Sequence, residues 1–411
     1  MGITKTSRFP LAVLLDIPFM LVFFESIREA QTTRRFLLFW GLCVLSLFVK
    51  LLINKQVPLR IFKPNVYFVF KGMFILCCIA MIYTGKALYP DVSADMVRLL
   101  LIDVIFLYVV YLFFGLKKNI DEILNSICIW LIILLTYALL HHLFFGAGTR
   151  LGKSIGYNAN TIAIAGVYSV SFVYKKYLST RKKSHLFVIA YLLLIVILTG
   201  SRKGILGAGI CLLLISFMTT KHRAKFVKML FIGMALAVIY GLIMYVPVLY
   251  SAIGYRIENL LTFLSTGETD EGSLSSRIVL IESALREIQK EPLFGYGLNA
   301  FRYYDHRGLY THSNYIELLF SGGIILLFVF YLLQIWLIIQ SFRLYKHTTQ
   351  KAMMAMVFSV SILMLVNDIA MVSYYSKLGM IVQLVLVYAV NIVAKESKHP
   401  VVHHEAEKKT E

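Results

Sequence analysis

Charge is scarce in this chain, and acidic charge scarcest of all. Of 411 residues only 15% are charged, with 22 Asp and Glu against 41 Lys and Arg, whereas roughly a quarter of a soluble domain is charged. Hydrophobic residues make up 59% and the mean hydropathy is +0.76, too much apolar surface for one water-soluble core. Only 5 cysteines and 8 prolines are present. Cys43, Cys77, Cys78, Cys128 and Cys211 all fall in apolar runs without ligand spacing, which argues against a disulfide framework and a zinc site. No small-residue cleavage site follows the first apolar run, so that run reads as a retained span and not a removed signal.

What the chain has instead is apolar runs, repeated from end to end. A bilayer-crossing helix needs about 20 mostly apolar residues. Candidate spans lie near 9–27, 36–53, 66–83, 96–114, 123–145, 157–174, 185–200, 204–219, 226–248, 313–341, 352–367 and 371–394. The expected fold is therefore all-α, a polytopic integral membrane protein of about twelve transmembrane helices. Residues 1–248 carry the first nine, 313–394 the last three, and 395–411 a tail.

The formal charge of +19 would suggest nucleic acid in a soluble protein, but here the cations sit in the links between spans, where they report topology. Lys175, Lys176, Arg181, Lys182 and Lys183 fall in one link, Lys221, Arg223 and Lys225 in the next alternate one, then Arg343, Lys346 and Lys351. With Lys395, Lys398, Lys408 and Lys409 of the tail they fall on one side, which the positive-inside rule makes cytoplasmic, with both termini inside. Arg28, Arg34 and Arg35 then lie outside against that rule, so the first two spans fit least well.

On this map residues 249–312 form one extracytoplasmic loop, far longer than an ordinary connection. Ser275 or Ser276 can cap a helix bearing Ile278, Ile281, Leu285 and Ile288 on one stripe and ending before Pro292. Such an amphipathic helix would lie on the membrane or pack over the spans. The acidic stretch Gly267 to Gly272 is expected to be its exposed, mobile part.

Four polar clusters fall on the same outer face. Asn158 and Asn160, in the stretch from Arg150 to Asn160, enter the sixth span, where an Asn pair can serve a site or only satisfy helix ends and neighbouring helices. Arg202 and Lys203 lie in a hairpin from Thr199 to Gly204, on the side where cations are disfavoured unless they bind something or reach lipid headgroups. Arg277 and Arg286 lie on the loop helix, as solvated charges or as a ligand clamp. The Gly295 and Gly297 pair, with no preceding strand, reads as a tight turn, not a nucleotide fingerprint. His312 precedes the tenth span with Ser313. It is either a cap or, held neutral near a helix N-terminus, a general base.

Charges inside spans are a separate set. Asp16, Lys71, Arg98, Asp103 and Asp368 are expected to face the bundle interior, with Asp95 and Arg98 paired at helical spacing. The tail histidines His399, His403 and His404 have no ordered metal spacing and read as solvated.

The order of these clusters resembles the O-antigen polymerase and ligase family, the Wzy-type and WaaL-type enzymes of bacterial polysaccharide assembly, over roughly residues 150–335. The matching elements are the Arg150 to Asn160 stretch, then Ser201, Arg202 and Gly204. Arg277 follows with Pro292, Gly295 and Gly297, then His312, Asn314 and Glu317 before Gly322 and Gly323. The resemblance implies a metal- and cofactor-independent glycosyltransferase at the outer face of the plasma membrane. Its donor would be an oligosaccharide on undecaprenyl diphosphate, its acceptor a sugar hydroxyl. His312 would act on the acceptor proton, and Arg202, Arg277, Arg150 and Lys203 on the diphosphate. Asn160, Asn314 and Glu317 would support the site or touch substrate. Polymerisation of repeat units into capsule, exopolysaccharide or O-antigen is the expectation, with ligation to another acceptor as the alternative. A flippase or chain-length regulator are the expected partners besides the bilayer, and no nucleic acid. A flippase or transporter remains the reading from a different class, although no internal repeat of the kind such proteins carry is found.

Overall fold

The computed structural model describes residues 15–27, 33–54, 65–83, 86–117, 119–146, 150–220, 222–266, 272–305 and 307–398. Every regular element among them is helical. In chain order the main helices are α1 (Ile17–Ile27), α2 (Thr33–Asn54), α3 (Val66–Tyr83), α4 (Pro90–Gly115), α5 (Ile120–Phe145), α6 (Ala159–Thr180), α7 (Ser184–Leu198) and α8 (Arg202–Thr219). They continue with α9 (His222–Tyr245), α10 (Tyr255–Thr266), α11 (Gly272–Ile288), α12 (Asn314–His347), α13 (Lys351–Asp368) and α14 (Lys377–Lys398). Each apolar run picked from sequence overlaps one of these helices within the described residues. Among the described residues seven of them, α3, α4, α5, α8, α12, α13 and α14, are long and apolar enough to cross a membrane. Shorter apolar helices lie at Leu37–Ile53 and Ser184–Leu198. The chain is a polytopic membrane protein.

The bundle is organised around α6, which is buried on every side from Ile162 to Lys175. Its sequence explains that position, because a helix rich in small residues lets neighbours approach closely. A Cβ added at Gly166 would lie 2.6 Å from Val196 of α7, and one at Gly204 of α8 would lie 2.7 Å from the Ala163 Cβ of α6. A Cβ at Gly207 of α8 would likewise lie 2.7 Å from Leu363 of α13. Helix α12 packs against α13, α3 and α14 to complete the core.

Several sequence expectations need correction. Helix α11 starts at Gly272, so Ser275 and Ser276 sit inside it and not at its N-cap. Its buried face is Leu280, Ala284 and Ile288, with Leu285 40% exposed. The stripe was misplaced because an alanine carries much of the contact, packed with Phe301 and Phe320. Arg98 does not face the interior; its side chain is 70% exposed, paired with Asp95, since the two continue one outer face of α4. Asp16 pairs with Lys50 and Lys117, Asp103 with Lys377, and Lys71 and Asp368 are buried. Helix α14 begins six residues later than expected, the 371–376 stretch being non-helical. The acidic residues 267–271, the tail histidines, Arg28 and Lys221 lie outside the described residues.

The largest departure is inside α12. Gly322 (φ −147°, ψ 19°) and Gly323 (φ 60°, ψ −163°) break the helix, and a break in a spanning helix is tolerated only where protein supplies the lost hydrogen bonds. Residues 292–297 supply them. Tyr296 N–H donates to Phe320 O (2.8 Å), Gly297 N–H to Ser321 O (2.7 Å), and Ile324 N–H to Pro292 O (2.9 Å). The two glycines of that segment adopt φ +62° and +104°, and a Cβ at Gly295 would lie 2.5 Å from Phe320 O. The Pro292–Gly297 segment is therefore more than the tight turn expected from sequence. It is a tape bonded to the broken helix, and it fixes α11 against the first turns of α12.

Candidate active site

The site is assembled where the hairpin between α7 and α8, the loop helix α11 and the segment leading into α12 meet. Ser201 caps α8, its hydroxyl accepting from Gly204 N–H (3.3 Å) and donating to Asn160 Oδ1 (2.9 Å). Asn160 is itself held by the cap of α6, its N–H donating to Asn158 Oδ1 (2.8 Å). Arg150 binds the hairpin from below: Nε donates to Thr199 O (3.1 Å), and Nη2 to Gly200 O (3.2 Å) and Asn160 Oδ1 (3.4 Å). Arg150 and Asn160 thus shape the hairpin that presents Arg202 and Lys203.

Those two cations open a helix N-terminus, where the backbone dipole disfavours positive charge. Backbone carbonyls offset this: Arg202 donates to Arg256 O (2.7 Å) and Lys203 Nζ to Ala370 O (2.6 Å). The positive charges of Arg277, Arg150 and Arg202 all act on the Lys203 ammonium, which places the four cations in one electrostatic cluster. Arg277 is half-buried on α11, on the face that carries Leu280 and Ala284, whereas Arg286 is exposed.

His312 stands beside this cluster, two residues before α12. Its backbone is left-handed, φ +61°, a conformation uncommon outside glycine and often tied to function. The turn sets its imidazole 4.3 Å from the Tyr310 ring centre, and Arg302 lies 5.9 Å from that same ring. Burial first, and then the charges of Arg277 and Lys203, together lower the His312 pKa to about 4. Burial and the neighbouring cations thus keep the imidazole neutral at pH 7, where the sequence had pointed to the helix N-terminus.

Residues around His312 hold the turn. Glu317 Oε2 accepts from Thr311 N–H (3.0 Å) and Thr311 Oγ–H (2.9 Å), which ties the start of α12 back over the residue before His312. Asn314 is fully buried and uses its whole amide. Its Nδ2 donates to Tyr331 OH (3.0 Å) and Asp368 Oδ2 (3.3 Å), and its Oδ1 accepts from Ser373 N–H (2.9 Å) and Tyr374 N–H (3.0 Å). Tyr331 OH completes the network by donating to Asp368 Oδ2 (2.7 Å). A cavity of about 40 Å³ lies beneath, lined by Asp368, Asn367, Gln334 and Gln383 among others.

Sequence reasoning singled out His312 and the four cations, and the structure brings all five together. Asn160, Asn314 and Glu317 are engaged with protein groups. Missed from sequence were the Tyr310 ring, Arg302, and the turn at Ala370 that receives Lys203. Asp368 was noted only as a charge in a span. Nothing in the spacing of these residues marks them, because each enters through tertiary contact.

No curated protein matches the chain. Residues 187–331, from α7 into α12, match the family model described as O-antigen ligase. That interval contains Arg202, Lys203, Arg277, His312, Asn314 and Glu317, while Arg150, Asn160 and Asp368 lie outside it. From α7 to the first half of α12, this membrane protein carries the O-antigen ligase domain that Wzy-type polysaccharide polymerases and WaaL-type ligases share.

Proposed function

We propose that the protein polymerises lipid-linked oligosaccharide repeat units into a cell-surface polysaccharide at the outer face of the plasma membrane, as a twelve-span protein with cytoplasmic termini. The observation that carries this reading is a neutral His312 beside a cluster of four cations within and around the O-antigen ligase domain. The donor is a glycan on undecaprenyl diphosphate and the acceptor a sugar hydroxyl of a second lipid-linked unit. The acceptor oxygen attacks the anomeric carbon, the bond from that carbon to the diphosphate oxygen breaks, and the bonding pair leaves with the diphosphate. His312 takes the hydroxyl proton. Arg202, Arg277 and Lys203 stabilise the negative charge that grows on the leaving group, a task for which planar guanidinium groups suit phosphate oxygens.

Arg150 belongs to this machinery by positioning: its carbonyl contacts at Thr199 and Gly200 set the hairpin. Asn160, Asn314 and Glu317 act likewise through the hairpin and the His312 turn. The description of the matched family favours a second reading, ligation of the glycan to a different acceptor, which uses the same donor and the same residues. A flippase that delivers the substrate and a chain-length regulator are the proposed partners.

The test is purified protein with a lipid-linked oligosaccharide, assayed for lengthening and for release of the diphosphate lipid. Lengthening by the native protein, and its loss in His312→Ala, is the expected result; in cells that variant accumulates lipid-linked single repeat units. Transfer only to a foreign acceptor would select the ligase reading. Undiminished long-chain polymer from His312→Ala would refute the assignment of the base.

A further inference from the structure

A second recess lies at the other end of α6. The reaction site uses the N-terminal end of that helix, at Asn160, and this recess its C-terminal end, at Lys175 to Thr180. The 22 residues of α6 span about 33 Å at 1.5 Å each, so the two lie at opposite membrane faces. The recess is an open groove of about 370 Å³. Phe172 and Val173 of α6 form its floor, α5 one wall and α7 the other.

The groove is amphipathic along its length. At its mouth stand Lys175, Lys176, Ser179, Thr180, Ser184 and His185. Towards the bilayer interior the walls become apolar, with Cys128, Ile129 and Ile132 on α5 and Val188 on α7. Ile129 is 56% exposed, so this wall is open to lipid. The mouth is strongly basic. Lys175 is buried and paired with Asp121, Lys176 donates to Asn125 Oδ1 (2.8 Å), and exposed Arg181, Lys182 and Lys183 follow directly. Among the described residues Asp121 is the only carboxylate lining the groove, against two lysines and a histidine.

We propose that this groove is a binding site for an anionic phospholipid of the leaflet opposite the reaction site. The phosphate-bearing headgroup sits among Lys176, His185 and the hydroxyls of Thr180 and Ser184, and an acyl chain lies along Ile129, Ile132 and Val188. Basic recesses between spanning helices suit anionic headgroups, and the rise from Asn125 at the mouth to Ile132, about 10 Å, leads along an apolar wall that a free anion cannot use. The occupant steadies α5 against α7, and α7 carries the hairpin of the reaction site at its far end.

The test uses the full chain purified in a neutral detergent. Its melting temperature is followed with added phosphatidylglycerol, phosphatidylcholine, or soluble glycerophosphate, and bound lipid is counted by native mass spectrometry. Phosphatidylglycerol is expected to raise the melting temperature by several degrees and to appear bound, with neither phosphatidylcholine nor glycerophosphate doing so. Lys176→Gln combined with Lys183→Gln should weaken the phosphatidylglycerol effect at least fivefold, and Val188→Trp should do the same by filling the apolar wall. Equal shifts from both lipids, or retention of the full effect in both variants, would overturn the site. A shift reproduced by glycerophosphate would make it a site for a free anion and overturn the lipid assignment. If a variant fails to fold, absence of bound phosphatidylglycerol on the native protein still refutes the proposal.

Discussion

Substituting Gly323 by alanine tests the link between the helix break and the site. Gly323 has φ 60° and ψ −163°, a region essentially confined to glycine, where a side chain costs about 1–3 kcal/mol. The added Cβ would lie 2.2 Å from Leu293 C, 2.3 Å from Leu293 O and 2.6 Å from Phe294 N. These are backbone atoms, so no rotamer change relieves the overlap. Relief requires the Pro292–Gly297 tape to part from α12, which loosens the bonds Tyr296 N–H to Phe320 O, Gly297 N–H to Ser321 O and Ile324 N–H to Pro292 O. At about 0.5–1.5 kcal/mol each, and with the backbone cost of about 1–3 kcal/mol, the total loss is about 2.5–7.5 kcal/mol. Thermal or denaturant unfolding in detergent measures it, with Gly41→Ala and Gly72→Ala as controls, since a Cβ at either meets nothing within 4 Å. Both controls lie inside helices and should be neutral or slightly stabilising. The reasoning fails if Gly323→Ala is as stable as they are. It fails equally if glycan lengthening survives in a protein whose tape has detached, because Arg277 on α11 is held by that tape.

The pH dependence of lengthening reports on His312. Its pKa is lowered to about 4, so the neutral imidazole persists as pH falls through 6.5 and is lost only near 4. The acid limb of kcat/KM should therefore lie below the usual histidine range, and Arg277→Gln, which removes one repelling charge, should move it upward. A limb at 6.5 that Arg277→Gln leaves in place would contradict this. Asn314→Ala leaves the Ser373 and Tyr374 N–H groups and the Tyr331–Asp368 pair without their amide. At about 1–3 kcal/mol for each of the two stranded N–H groups, a loss of about 2–6 kcal/mol is expected in unfolding, with faster amide exchange at residues 373 and 374. Arg150→Lys keeps the charge but not the fork that reaches Thr199 O and Gly200 O. It should destabilise the hairpin by about 1–2 kcal/mol and reduce turnover more than donor affinity.

Hydropathy made the helices legible because each apolar run must find lipid or a neighbouring helix, and either outcome demands backbone hydrogen bonds within the run. The break at Gly322 and Gly323 was not legible as a break. Two adjacent glycines in an apolar run also suit close helix packing, and only the tape that satisfies Phe320 O and Ser321 O distinguishes the cases. The buried face of α11 was misassigned for a related reason. Burial there is set by the partner, where Phe320 and Phe301 present a surface that accepts Ala284, while the larger Leu285 points outward. His312, Arg202 and Arg277 were legible because costly side chains cluster at span ends, where a solvated charge would gain little. Their supports were not, since Thr311 with Glu317 and Lys203 with Ala370 O meet only in three dimensions.

The depressed pKa of His312 has a consequence for the order of events in the proposed reaction. An imidazole held near 4 is available at pH 7 but holds a proton weakly, which makes it a poor base on its own. Two of the causes are the charges of Arg277 and Lys203, and these are the groups assigned to the diphosphate. Donor binding places compensating negative charge beside them, so it cancels part of the repulsion and strengthens the base when an acceptor can be used. Release of the diphosphate lipid restores the repulsion and expels the proton from His312 to solvent. In the proposed reaction the same cations would thus bind the leaving group, stabilise its departure and reset the base. The coupling separates two pH profiles, because kcat reports the donor-bound site and kcat/KM the free one. The acid limb of kcat should lie at higher pH than that of kcat/KM in the native protein, and the gap should narrow in Arg277→Gln, where one of the charges that donor neutralises is gone. Coincident limbs in the native protein would refute the coupling.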